Sequence, residues 1–508
     1  MSQDVQSSAS DAARIEPAAP TTAPPSRKLL SLLAGPLVGF LLFLALPESL
    51  SFQGQAVAGC AAWMAIWWIT EAAPIPVTSL LPLVLFPLFG MDTMTNVAAP
   101  YANPVVFLVM GGVILGLATE RSNLHRRIAL QTIRVVGTRP DQIVFGLMLA
   151  SAFISAWVSN TATAVIMVPI GVSILQLVRN IDPKAVDAKF SASMMLGIAY
   201  GVTIGSMATL IGQPPMALMA AYLDAELNYE MQFGKWMMVG VPMAAFMLAV
   251  AWLVLTKLVF RTGLKQIPGG KDLIHAELAK LGTMSTSERR VAAIFLVAIF
   301  CWVALPFIAK IPAIAQSMPF LGEISDTQVA MGAAIACFLV PAGKTAGPLL
   351  KWESARDIPW GLLLLFGGGL SLSAMFTSTG LSKWIGDQVS TLGDLPPILV
   401  LLVAALVGLG LTELTSNTAT AAAFFPIMGA VAVGVGVDPL LMIIVMTLAV
   451  CSAYMLPVAT PSNAVAFGSG EVSIKQMVRA GIWLNLISMV LIVGAIYTLL
   501  PWIFGVSL

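Results

Sequence analysis

Residues 159–170 read S-N-T-A-T-A-V-I-M-V-P-I, and residues 416–427 read S-N-T-A-T-A-A-A-F-F-P-I. Eight of the twelve positions are identical at an offset of 257. The same offset pairs Gly111 and Gly112 with Gly368 and Gly369, Leu115 with Leu372, Leu124 with Leu381 and Leu149 with Leu406. One register holds from about residue 111 to 170 without a net gap, the signature of an internal repeat. A looser pair of segments follows: A-T-L-I-G-Q-P-P-M-A at 208–217 and L-P-V-A-T-P-S-N-A at 456–464. Each half therefore offers one Ser-Asn-Thr segment and one proline-containing break. Discontinuous helices at corresponding places of two halves are the arrangement by which secondary transporters build a site near the bilayer midplane.

The composition fits a bilayer as solvent. The chain has 508 residues, of which 58% are hydrophobic and 10% charged, against about 25% charged in a soluble domain. The formal net charge of +1 argues against nucleic acid as a partner. Cys60, Cys301, Cys337 and Cys451 stand singly in apolar runs, with no disulfide or metal spacing. Residues 1–28 read as a disordered Ser-, Ala- and Pro-rich tail, and Arg27-Lys28 suggest a cytoplasmic N-terminus.

Candidate spans, at roughly 20 apolar residues each, are 29–47, 54–69, 77–90, 142–158, 163–180, 236–260, 291–309, 327–341, 397–412, 438–456 and 477–503. Stretches 103–119, 192–222, 359–380, 416–436 and 457–470 are interrupted by Gly, Pro, Ser or Thr and are expected to be broken. Irregular backbone at membrane depth survives only inside protein or along a cavity. The charged segment 261–290 reads as a cytoplasmic linker with an interfacial helix, dividing a first half (29–260) from a second (291–508). Residues 124–139 have the pattern of an amphipathic helix on the cytoplasmic surface.

Ser, Asn and Thr are poor inside helices and good at their N-termini. An Ala-rich run behind them fits a hairpin tip opening into a helix. Such a helix end presents free N–H groups and a partial positive charge, which suits a carboxylate. The side-chain and backbone oxygens of the tip suit a hard cation, and Asn supplies both an oxygen and an NH₂ group. No Lys, Arg or His lies in 192–222, 397–436 or 451–470, and 142–180 holds only Arg179 near its far end. An anion in so uncharged a place needs positive charge from elsewhere. A co-bound cation supplies it, which favours symport over exchange. Glu71 and Glu413 lie in apolar surroundings. Each is read as bracing a hairpin through loop N–H groups, or as a proton site. His125 and His275 are the only histidines, and no nucleophile–base pair or metal cluster lies within the spans. The residues thus argue against an enzyme.

The two Ser-Asn-Thr blocks, I-T-E-A-A-P-I-P-V-T-S-L-L-P at 69–82 and V-A-T-P-S-N-A-V-A-F-G-S-G at 458–470 resemble the divalent anion/sodium symporter family. The resemblance runs from about residue 30 to the C-terminus. It implies an all-α polytopic membrane protein with eleven transmembrane helices and two re-entrant helical hairpins in inverted repeats. Scaffold and transport domains, a homodimer in the cell membrane and an elevator-like movement are implied with it. It implies sodium-coupled symport of C4-dicarboxylates such as succinate, malate or fumarate; the alternative is a sodium-independent dicarboxylate or citrate exchanger. One sodium site would use Ser155, Ser159, Asn160 and Gly212, and a second Thr412, Thr415 (by its carbonyl), Asn417 and Ala459. The substrate would meet Ser159, Asn160, Thr161 and Pro214 on one side, and Ser416, Asn417, Thr418, Thr460 and Pro461 on the other. Gln213 and Met216 depart from the usual Gly-Ser/Thr-Pro-Pro-Asn, and Ser462 stands where a second proline is frequent.

Overall fold

A computed structural model describes residues 25–137, 139–181, 187–261, 278–343, 347–391 and 396–506. Regular structure among them is helical, apart from one isolated bridge between Pro341 and Pro348. Eight helices among the described residues are long and apolar enough to cross a bilayer, with several shorter apolar ones beside them.

The first half begins with α1 (Pro25–Ala45) and α2 (Phe52–Thr70), packed together, then short α3 (Ile75–Thr78), α4 (Leu81–Leu88) and α5 (Met94–Ala98). It continues with α6 (Pro104–Arg121), α7 (Leu124–Val136), α8 (Pro140–Ser155), α9 (Asn160–Ile181), α10 (Ala188–Ser206), α11 (Pro214–Leu227) and α12 (Phe233–Leu253). The second half contains α13 (Thr286–Ile308), α14 (Pro312–Ser317), α15 (Asp326–Leu339), α16 (Trp360–Ser378), α17 (Leu381–Ser390), α18 (Pro397–Thr412) and α19 (Asn417–Gly434). It ends with α20 (Pro439–Val450), α21 (Pro461–Gly468), α22 (Ile474–Tyr497) and α23 (Leu499–Phe504). The sequence repeat is a structural one: α7, α8 and α9 begin 257 residues before α17, α18 and α19. Pro169 and Pro426, also 257 apart, lie inside α9 and α19 at the same helical position.

Several expectations change. Segments 142–158 and 163–180 become α8 and α9, which turn back on one another at 156–159, and α18 and α19 form a second such pair. α8 has 16 residues, about 24 Å of helix, short of the roughly 30 Å of a bilayer core. Stretches 103–119, 359–380 and 416–436, expected to be broken, are continuous helices. The glycines of the first two serve close packing instead. A Cβ at Gly111 would lie 2.7 Å from the backbone of Ala330, and one at Gly368 would lie 2.4 Å from Ser79 O. Segment 77–90 is divided between α3 and α4, and the helix within 438–456 stops at Val450. The helical start at Pro25 falls inside the expected tail, whose residues 1–24 lie outside the described ones. Most of the linker, 262–277, and with it the expected interfacial helix, also lies outside them.

The true breaks are 207–213, between α10 and α11, and 451–460, between α20 and α21. Both second arms start on proline, at Pro214 and Pro461. The residue before proline is driven to extended backbone. Gln213 (φ −128°, ψ 140°) and Thr460 (φ −141°, ψ 151°) are both extended, so neither helix can run through. The halves then exchange arms: α21 packs on α9 and α10, while α11 packs on α19 and α20. Arg179 of α9 also reaches the second half, in a two-pronged ion pair with Glu471 at 2.6 and 2.5 Å. On α7, Arg127 is buried rather than part of a solvated face. It pairs with Glu288 at 2.7 and 3.2 Å and donates to Gly282 O and Leu281 O, tying α7 to the start of α13.

Candidate functional site

The two hairpin tips have the same local construction. Ser159 precedes α9 and its Oγ accepts from Ala162 N at 3.3 Å; Ser416 precedes α19 and accepts from Ala419 N at 3.5 Å. The serines are therefore the N-caps, and Asn160 and Asn417 are the first helical residues rather than second caps. First-turn N–H groups have no partner within a helix, so each tip directs donors outward beside its Thr, Thr161 or Thr418.

Behind each Asn lies a cluster of three oxygens. Ser155 Oγ is 2.8 Å from Asn160 Oδ1 and 2.8 Å from Val202 O. Thr412 Oγ1 is 2.5 Å from Asn417 Oδ1 and 2.7 Å from Val450 O. Each hydroxyl has one proton, while its two neighbours are acceptors. With Oδ1 toward the hydroxyl, as in both copies, three oxygens share a single hydrogen. Such a donor set is electron-rich and suits a hard monovalent cation, for which it supplies neutral oxygen ligands. Among the described hydrogen bonds, neither Asn donates from Nδ2.

The other candidates have definite places. A Cβ at Gly212 would fall 2.2 Å from Ser206 O, so only glycine fits there. Ala459 is buried, 247 residues further on, at the matching point of the second break. Pro214 and Pro461 open α11 and α21. Thr460 Oγ1 caps α21 by accepting from Asn463 N at 3.2 Å. Thr415 directs its hydroxyl to Leu411 O at 2.9 Å and shares a hydrogen bond with Thr420 Oγ1 at 2.8 Å. Its carbonyl is left for the ligand role the resemblance implies. Ser159, Thr161 and Pro461 are exposed, whereas at the second tip Ser416 and Asn417 are half-buried and Thr418 is buried.

The two glutamates part company. The buried Glu413 carboxylate accepts from the N–H groups of Tyr454, Met455 and Leu456 at 2.8 to 3.2 Å, and from Asn485 Nδ2 at 2.7 Å. It braces the second break, one of the two roles read from the sequence. Glu71 is an exposed left-handed residue ending α2, and its surroundings are not the apolar interior that the sequence suggested.

Three contributors were missed. Val202 O and Val450 O are backbone groups with no sequence signal. Asn485 had one: a lone amide in the apolar run 477–503 needs a partner. Trp157, at the first tip, packs in an aromatic cluster: its ring lies near-parallel to Phe233 at 6.1 Å and Trp302 at 6.4 Å, and edge-on to Phe295 at 5.2 Å.

Known proteins place this architecture. The chain is 40% identical over 488 residues to the sodium-dependent dicarboxylate transporter SdcS of Staphylococcus saprophyticus, covering 94% of this chain and 93% of that one. It is 41% identical over 488 residues to the SdcS of Staphylococcus aureus, covering 95% and 93%. Two solved transporters share the fold at low identity. The YdaH transporter of Alcanivorax borkumensis matches at a TM-score of 0.55 and 14% identity, over 87% of this chain and 98% of its own. MtrF of Neisseria gonorrhoeae matches at 0.57 and 13%, over 96% of each. Residues 26–506 match the family described as the sodium:sulfate symporter transmembrane region. The chain is therefore an integral membrane protein of that family, the divalent anion/sodium symporters that its motifs resemble, whose members are transporters and not enzymes.

Proposed function

We propose that this protein is a secondary transporter that moves C4-dicarboxylates such as succinate, malate or fumarate across the cell membrane together with sodium. The observation that carries the reading is the pair of three-oxygen clusters, Ser155–Asn160–Val202 and Thr412–Asn417–Val450. A sodium ion in each cluster supplies the positive charge that the tips lack. The helix ends, the two Asn Nδ2 groups and the hydroxyls of Ser159, Thr161, Ser416, Thr418 and Thr460 then receive two carboxylates. Gly212, Thr415 and Ala459 complete the cation sites through backbone, and Pro214 and Pro461 wall the pocket. The names of the SdcS relatives support both the ion and the substrate class. In this reading the hairpins and broken helices travel as one body against the remaining helices of a homodimer, whose N-termini face the cytoplasm.

Proteoliposomes test it. An inward sodium gradient drives succinate uptake into vesicles that contain no dicarboxylate. Asn160→Ala and Asn417→Ala each abolish that uptake while the protein still elutes as a folded assembly. Uptake that ignores sodium and needs internal dicarboxylate establishes the exchanger instead. Near-normal uptake by either Asn variant refutes the site.

A further inference from the structure

Three buried hydroxyls link the first half to the second break. Thr203 Oγ1 on α10 is 3.0 Å from Ser462 Oγ on α21, and Ser462 Oγ is 3.0 Å from Thr460 Oγ1. Thr203 Oγ1 also lies 3.2 Å from Ala199 O. All three residues are at most 3% exposed, so solvent does not complete their bonding. Each hydroxyl has one proton. Thr460 Oγ1 already accepts from Asn463 N. The row can therefore run in one of two directions. In one, Thr460 donates to Ser462, Ser462 to Thr203 and Thr203 to Ala199 O. In the other, Thr203 donates to Ser462, Ser462 to Thr460, and the Thr460 proton points outward.

The row has an anchor at the first break. Gln213 donates from Nε2 to Thr203 O at 2.9 Å and to Ser206 Oγ at 2.7 Å. One residue before Thr203, Val202 O belongs to the first oxygen cluster. The reverse link does not exist: the positions matching Thr203 and Ser462 are Cys451, beside Val450, and Pro215, which has no donor. Gln213 and Ser462, two departures from the family pattern, thus both bond to Thr203, one at its carbonyl and the other at its hydroxyl.

We propose that Thr203 and Ser462 are positioning residues that set the direction of the Thr460 hydroxyl, so that Thr460 donates to a carboxylate of the bound dicarboxylate. This rests on the reading of Thr460 as a substrate contact. An anion beside Thr460 selects the outward direction, in which Thr460 Oγ1 accepts from both Ser462 and Asn463 N and its own proton is free for the anion. Hydrogen bonds in such a row polarise one another, and the last donor is strengthened. A residue without a hydroxyl at 462 leaves Thr460 Oγ1 with Asn463 N as its one described donor.

The test is succinate-dependent thermal stabilisation of the purified protein, alongside uptake kinetics, at fixed saturating sodium. Ser462→Ala raises the half-saturating succinate concentration about fivefold, the loss of one neutral hydrogen bond. Its maximal rate and its half-saturating sodium concentration stay within about twofold. Ser462→Thr keeps the hydroxyl and restores succinate affinity. Thr203→Val acts in the same direction, and the double variant is no weaker than Ser462→Ala, because both changes cut one row. Unchanged succinate affinity in Ser462→Ala overturns the proposal. So does failure of Ser462→Thr to restore it, or an effect confined to stability without ligand. If the unaltered protein is not stabilised by succinate at any sodium concentration, the functional reading falls and the inference with it.

Discussion

The first hairpin tip and the second present the same three residues on different foundations. At the first, Trp157 is 8% exposed, stacked on Phe233 and Trp302 and edge-on to Phe295. At the second, the matching residue is Leu414, which is 69% exposed. The residue before it shows the opposite bias. Ala156 has only its carbonyl, which accepts from Thr209 Oγ1, whereas the matching Glu413 holds three backbone N–H groups and Asn485. One tip is held by aromatic packing, the other by a buried carboxylate. A third difference lies just behind. Thr415 and Thr420 bond to one another, but Val158 stands where Thr415 does, and the Thr163 hydroxyl is buried without a partner. The repeat has kept the Ser-Asn-Thr residues of the tips and let their supports diverge.

The largest test of that contrast is Glu413→Ala. It strands three N–H groups in the interior at ~1–3 kcal/mol each, a total on the order of 4 kcal/mol. The expected result is little folded protein and no uptake, with Glu413→Gln intermediate because its amide oxygen still accepts. Normal thermal stability of Glu413→Ala would break the comparison. Next comes Trp157→Ala, which empties a packed aromatic site and costs about 3 kcal/mol. Leu414→Ala changes stability by less than about 0.5 kcal/mol. Equal unfolding temperatures for these two variants would show that the tips are anchored alike. The smallest effect sharpens the picture. Thr420→Val breaks the Thr415 hydrogen bond and costs about 1 kcal/mol, whereas Thr163→Val removes an unpartnered hydroxyl and is neutral or stabilising by up to ~1 kcal/mol. Chemical or thermal unfolding of the pair reads the difference in sign.

Much of the site was legible because it is made of side chains in a repeated motif. The offset of 257 located both hairpins, both serine caps and the matching prolines of α9 and α19. The extended residues before Pro214 and Pro461 followed from local sterics alone. Less legible was which interrupted stretches are broken. Glycines at 111–112 and 367–369 read as interruptions, yet they lie in continuous helices whose neighbours come close. Glycine permits either outcome, and only the neighbour decides.

The sequence by itself determined a many-helix membrane protein with two copies of an uncharged, oxygen-bearing tip, because apolar content, repeat spacing and N-cap chemistry are local properties. Tertiary structure alone decided which carbonyl joins each tip, with Val202 meeting Ser155 and Val450 meeting Thr412. It also decided that Glu413 binds the second break and that Thr203 meets Ser462 across the halves. Only the last of these contacts depends on the exchange of α11 and α21 between the halves; the others close within one half. A backbone carbonyl has no residue type to mark it, and an exchanged helix leaves no trace in sequence order.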